Sequence, residues 1–179
     1  MTDKPKRKTR AEQVTPLDVR IRNPRERVFL PELLAEVSRV KEHARKIELL
    51  RMYANKNEEH FKLIRDFLQC VYHPAVVFDL PEGAPPYTSD YVDYTLAPMS
   101  LREAFTRVPY FVKGHSKYIE NPIKRERVFV QTLEGMYKDD CVLFLMVKEK
   151  KFDSRKYKTL NEAIFREAFP DIMPQQESK

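Results

Sequence analysis

Tryptophan is absent from this sequence, and only 3 glycines occur in 179 residues, against 13 prolines. So little glycine excludes the glycine-rich loops that cradle phosphates. It also argues against all-β folds, whose tight turns need positive φ. The 2 cysteines, Cys70 and Cys141, each sit inside an apolar periodic segment, where reduced, buried thiols are usually found. Two isolated cysteines make neither a secreted disulfide framework nor a zinc site. No apolar run approaches the roughly 20 residues that cross a bilayer, and Met1–Arg10 has no hydrophobic signal core. The expectation is a cytosolic chain with no membrane association.

Catalytic signatures are missing as well. The 4 histidines, His43, His60, His73 and His115, are scattered along the chain. None pairs with another at the i, i+4 spacing that puts two metal ligands on one helix face. Asp139-Asp140 falls where a helix opens, a place carboxylates favour because of the helix dipole. There is no GxSxG, no phosphate-binding loop and no dinucleotide fingerprint. The sequence therefore reads as a non-enzyme without metal or cofactor.

What remains is a core with charge around it. Hydrophobic residues make up 42% and charged residues 34%, with a net charge of +6. That charge is unevenly placed: residues 1–27 hold nine cations against four anions, and the rest is close to neutral. With few apolar residues and no period, 1–27 reads as a disordered basic arm. Residues 28–174 read as one domain and 175–179 as a polar end.

Within 28–174 the periodicity predicts an all-α domain of six or seven helices. Pro31 suits a first helical turn, followed by Leu33, Leu34, Val37 and Val40. Ile47, Leu49, Leu50 and Met52 mark a second helix, and Phe61, Ile64, Phe67, Leu68 and Val71 a third, stopped by His73-Pro74. Val76-Val77-Phe78 reads as a strand or a buried extended segment, and Leu80 to Tyr94 as a long loop carrying Tyr87, Tyr91 and Tyr94. Those tyrosines either pin the loop to its own domain or meet a partner. Ser100 and Glu103 form a capping box for a fourth helix. A fifth spans Ile123 to Met136 and a sixth Asp139 to Val147. Thr159, with Glu162, is expected to cap the last helix, which Pro170 stops.

Binding chemistry concentrates in three places. Lys148, Lys150, Lys151, Arg155, Lys156 and Lys158 crowd one segment with Phe152 and Tyr157 between them. Cations neutralise phosphates with release of counterions, and aromatic rings stack on exposed bases. The alternative reading is a solvated connection between two buried helices. Lys124, Arg125 and Arg127 add charge early in the fifth helix. In the arm, Lys6, Arg7, Lys8 and Arg10 form either a nonspecific phosphate-binding run or a solubilising tail.

Several stretches together carry a resemblance: RKIELLR (Arg45 to Arg51), VYHPAVVFDLPEGAPPY (Val71 to Tyr87), NPIKRERVFVQTLEGM (Asn121 to Met136), VKEKKF and KYKTLNEAIFREAFPDI. Over roughly residues 33–173 the chain resembles a family of small proteins of T-even-like phages and cyanophages. That family in turn resembles the helical N-terminal DNA-binding domain of phage-type ATP-dependent DNA ligases. The resemblance implies a helical domain that grips the duplex backbone through basic residues, without chemistry of its own, in the cytoplasm of an infected host cell; the residues alone do not separate DNA from RNA as the ligand. It places those contacts at Lys148, Lys150, Lys151, Lys156 and Lys158. The Lys-x-Asp-Gly motif of ligase nucleotidyltransferases is absent, so ligation is not implied. A second expectation is an interaction module docking on a phage protein of the replication or transcription machinery, or on a structural assembly.

Overall fold

The computed structural model describes residues 29–91, 93–152, 156–157 and 159–174. The basic arm with Lys6, Arg7, Lys8 and Arg10, the polar end, Arg155 and Lys158 lie outside the described residues. Among the described residues seven α-helices follow one another: α1 Leu30–Arg39, α2 His43–Ala54, α3 Glu58–Tyr72, α4 Leu101–Arg107, α5 Pro122–Glu134, α6 Lys138–Lys148 and α7 Glu162–Ala168. No strand ladder occurs among the described residues. Extended backbone pairs only in isolated bridges, Phe78 with Val112 and Met99 with Met136. The chain is all-α.

Local chemistry sets the helix ends. Pro31 lies in the first turn of α1, where its missing N–H is no loss. Ser100 and Glu103 form the complete capping box at α4: Glu103 Oε2 accepts from Ser100 N at 2.6 Å and Ser100 Oγ accepts from Glu103 N at 3.3 Å. Three further helices start on asparagine. Asn57, Asn121 and Asn161 each accept from the backbone N–H three residues on, at 2.8, 3.0 and 3.1 Å. The last of these corrects the expected cap of α7. Thr159 instead donates its hydroxyl to Ser38 O at 2.5 Å, tying the segment before α7 to α1.

Helix α6 organises the interior. Every residue from Asp139 to Lys148 is buried or half-buried, and α1, α3 and α4 pack on it, while α7 lies on α2. Phe144 is fully buried. Its ring meets Phe78 at 6.1 Å, Phe105 at 5.9 Å and Phe129 at 5.7 Å. A second aromatic group joins Phe67, Phe152, Tyr157 and Phe165. Tyr94 of the long loop stacks on Phe29 at 5.2 Å, and Tyr87 packs against the core; both tyrosines therefore serve their own domain.

His60 is buried, stacked on Tyr53 at 4.4 Å, with Nδ1 3.2 Å from Tyr53 O. Burial holds its pKa below the usual imidazole value. A folded-state pKa below the unfolded one gives stability that is present above about pH 6.5 and is lost as pH falls through the folded value. The urea midpoint should therefore drop between pH 7.5 and 5, and His60→Gln should lessen that drop. Phe144→Ala should cost about 3–5 kcal/mol in the same unfolding measurement, because it empties the centre of the aromatic group.

Candidate nucleic-acid interface

The segment after α6 is crowded with lysine, yet Lys148 and Lys150 are engaged inside the domain. Lys148 is buried, and its ammonium donates to Pro81 O at 2.6 Å and pairs with Glu149. That contact, with Gly83 N donating to Glu149 Oε1 at 3.0 Å, holds the Glu149 carboxyl below the usual range. Lys150 Nζ donates to His73 O at 2.7 Å, and burial pushes its pKa down. Lys156 pairs with Asp139 at 3.1 Å, and Lys151 is exposed.

The backbone explains this arrangement. Lys150 N bonds Val147 O at 3.1 Å and Lys151 N bonds Met146 O at 3.0 Å, the double bond of a Schellman turn. Lys150 takes the left-handed position, with φ 55°, which glycine usually fills. The turn folds the chain back and carries the Lys150 side chain under the end of α3.

The aromatic residues between the cations are not available for stacking on bases. Tyr157 is fully buried and lies parallel to Phe152 at 5.1 Å, with 1° between the planes. Phe152 in turn meets Phe67 and Phe165. The expectation that this pair would stack on nucleic acid is therefore corrected: both rings complete the core under α7.

Early α5 divides by direction. Arg125 points inward and is only 7% exposed. Its guanidinium donates to Asp79 O at 2.6 Å, Ile119 O at 2.7 Å and Glu120 O at 3.2 Å, pairs with Asp79 Oδ2 at 3.1 Å, and lies 5.0 Å from the Tyr118 ring centre. Tyr118 donates its hydroxyl to the same Asp79 carboxylate, which raises the phenol pKa. Arg125 is thus a strut joining the 112–120 loop to the segment after Phe78. Lys124 and Arg127 point outward and are exposed.

Two further exposed cations, which the sequence reading did not single out, lie on the loop whose end the strut ties to α5. Lys113 and Lys117 are exposed on the strut-held loop. None of Lys113, Lys117, Lys124 and Arg127 makes a side-chain hydrogen bond or ion pair with a described residue. Arg39, Lys41, Lys56 and Lys151 are likewise exposed without such a partner among the described residues, whereas Arg102 pairs with Glu59, and the half-buried Arg45, Lys62 and Arg166 pair with Glu48, Glu58 and Glu162. The 113–127 stretch also carries Glu120 and Glu126. Its side-chain charge stays positive, with Arg125 balanced by Asp79.

Beside this strip a groove of about 320 Å³ runs between the Leu80–Pro86 loop and α5. Its walls include Pro81, Pro85, Ile123 and Val130, with Glu126 and Arg127 among the polar lining. Ile123 is 70% exposed. Among the described residues no group of three or more side chains is placed to hold a metal ion. No helix there is long and apolar enough to cross a membrane.

A family model described as "Family of unknown function (DUF6433)" matches residues 33–154. The chain belongs to that family. The DUF6433 match runs from α1 past α6 and takes in the Arg125 strut, the cationic strip, the groove and Lys148 to Lys151. Neither a curated protein nor a solved structure matches the chain.

Removing the strut should separate structural from surface cations. Arg125→Met leaves three carbonyls without this donor and Asp79 without its ion pair, and should cost about 3–5 kcal/mol in urea unfolding. Arg127→Met, two positions on, should change stability by no more than about 0.5 kcal/mol.

Proposed function

We propose that this chain is a non-catalytic nucleic-acid-binding protein that contacts the phosphate backbone with little sequence preference. The single observation that carries the reading is that four cations within 113–127, Lys113, Lys117, Lys124 and Arg127, are exposed and make no side-chain hydrogen bond or ion pair with a described residue. Backbone binding needs cations free to displace counterions, and those of the 148–151 turn are largely committed to the chain's own carbonyls. The contact surface is therefore assigned to 113–127, with the arm around Lys6, Arg7, Lys8 and Arg10 as a second basic element. The resemblance to the helical DNA-binding domain of phage-type ligases supports the same reading and its setting, the cytoplasm of a phage-infected cell.

A second reading, a module docking on a phage protein, draws on Val77 and Leu96, which are 60% and 68% exposed. Scattered apolar residues of this kind are common on protein surfaces, so backbone binding is preferred.

The test is a titration of the full chain against duplex DNA, single-stranded DNA and RNA at two salt concentrations. Lys124→Glu/Arg127→Glu should lower affinity by at least about tenfold and flatten the log–log salt slope by about 2. Lys151→Glu and Lys156→Glu should have much smaller effects. No binding to any of the three ligands at low salt would reject the reading in favour of a protein partner.

A further inference from the structure

We infer that the groove between the Leu80–Pro86 loop and α5 receives an unpaired base, so that the preferred ligand is single-stranded nucleic acid. This inference rests on the backbone-binding reading above. Phosphate contacts alone need cations on a surface and no cavity. Here an apolar cleft adjoins exposed cations of 113–127, and one residue belongs to both: Arg127 lines the groove and makes no side-chain hydrogen bond or ion pair with a described residue. Lys124 follows directly on Ile123, the most exposed large apolar side chain of the described residues.

The groove's dimensions and chemistry fit a base. Its volume of about 320 Å³ lies at the small end of ligand pockets, which run about 300–1,000 Å³. Proline rings and aliphatic side chains from two sides, Pro81 and Pro85 against Ile123 and Val130, give flat apolar walls. Its charged lining is Glu82, Glu126, Arg127 and Lys148; the two carboxylates offer acceptors to base N–H groups and Arg127 offers donors, while Lys148 is held by Pro81 O and Glu149. That mixture tolerates several bases, as sequence-independent binding to single strands requires.

The walls are also fixed before any ligand arrives. Lys148 holds Pro81 O, Glu149 holds Gly83 N and Arg125 holds Asp79 O. A preformed cleft avoids an ordering cost on binding. A base paired within a duplex is stacked and turned inward, so it reaches such a cleft only after leaving the helix.

The test compares the full chain with a labelled single-stranded DNA, the RNA of the same sequence and the corresponding DNA duplex, at one low salt concentration. The wild type should bind a single strand several-fold more tightly than the duplex, and the order of DNA and RNA tells which strand is preferred. Ile123→Ala removes an exposed wall and should weaken single-strand binding by roughly three- to tenfold, the size expected for losing part of an isoleucine contact. Duplex affinity should stay the same. Val130→Phe, which fills the cleft, should do likewise. A 2-aminopurine in the strand should change its emission on binding to the wild type and not to the filled variant. Equal affinity for single strand and duplex, untouched by either substitution, would overturn the inference while leaving backbone binding intact; the groove would then suit an apolar peptide side chain. No binding of any probe would overturn both.

Discussion

Helix α6 is apolar on nearly all its faces, so it is stable only when other elements surround it. Helices α1, α3 and α4 do so directly, and Phe144 draws in Phe78 and the Phe129 ring of α5. The consequence is felt at the C-terminal end. Lys148 closes α6 while still inside the protein, and a buried ammonium is costly unless hydrogen-bonded acceptors surround it. The Pro81 carbonyl and the Glu149 carboxylate supply them. The position of the proline-rich loop therefore follows from the burial of one helix.

A second inward cation completes the arrangement from the other side. Arg125 takes the carbonyl of Asp79 two residues before the carbonyl that Lys148 takes. With those polar groups turned inward, the loop shows proline rings and short apolar side chains toward α5, and Ile123 faces them across the groove. The same strut ties Ile119 and Glu120, at the end of the loop bearing Lys113 and Lys117, to α5. Groove and cationic strip thus share one cause: two buried charges that had to find carbonyls.

Much of the fold was legible in the sequence because apolar periodicity follows burial. All seven helices fall where that period predicts, although α2 and α3 begin four and three residues before the first apolar residues that marked them, Ile47 and Phe61. The capping box at Ser100 was readable from two residues. The caps at Asn57, Asn121 and Asn161 were not read from the sequence, and the last helix was given Thr159 in place of Asn161. The site was less legible. Charge density along a chain does not say where each side chain points: Lys148 and Lys150 turn inward, and Arg125 differs from its neighbour Lys124 only in helix face. One signal did exist, since a lysine ending the run CVLFLMV continues a buried helix. Lys113 and Lys117 escaped notice because their charges are diluted along the sequence, and the strut joins them to α5 only in three dimensions.

Lysine reactivity toward an acetylating reagent, read by mass spectrometry with and without a single-stranded oligonucleotide, tests the central claim most directly. The cations of 113–127 should face solvent and ligand, while Lys148 and Lys150 serve the fold. Lys113, Lys117 and Lys124 should then react quickly in the free protein and be protected by the oligonucleotide. Lys148 and Lys150 should react slowly in both conditions. Fast reaction at Lys148 and Lys150 that the oligonucleotide suppresses, with Lys113, Lys117 and Lys124 unchanged, would contradict the account.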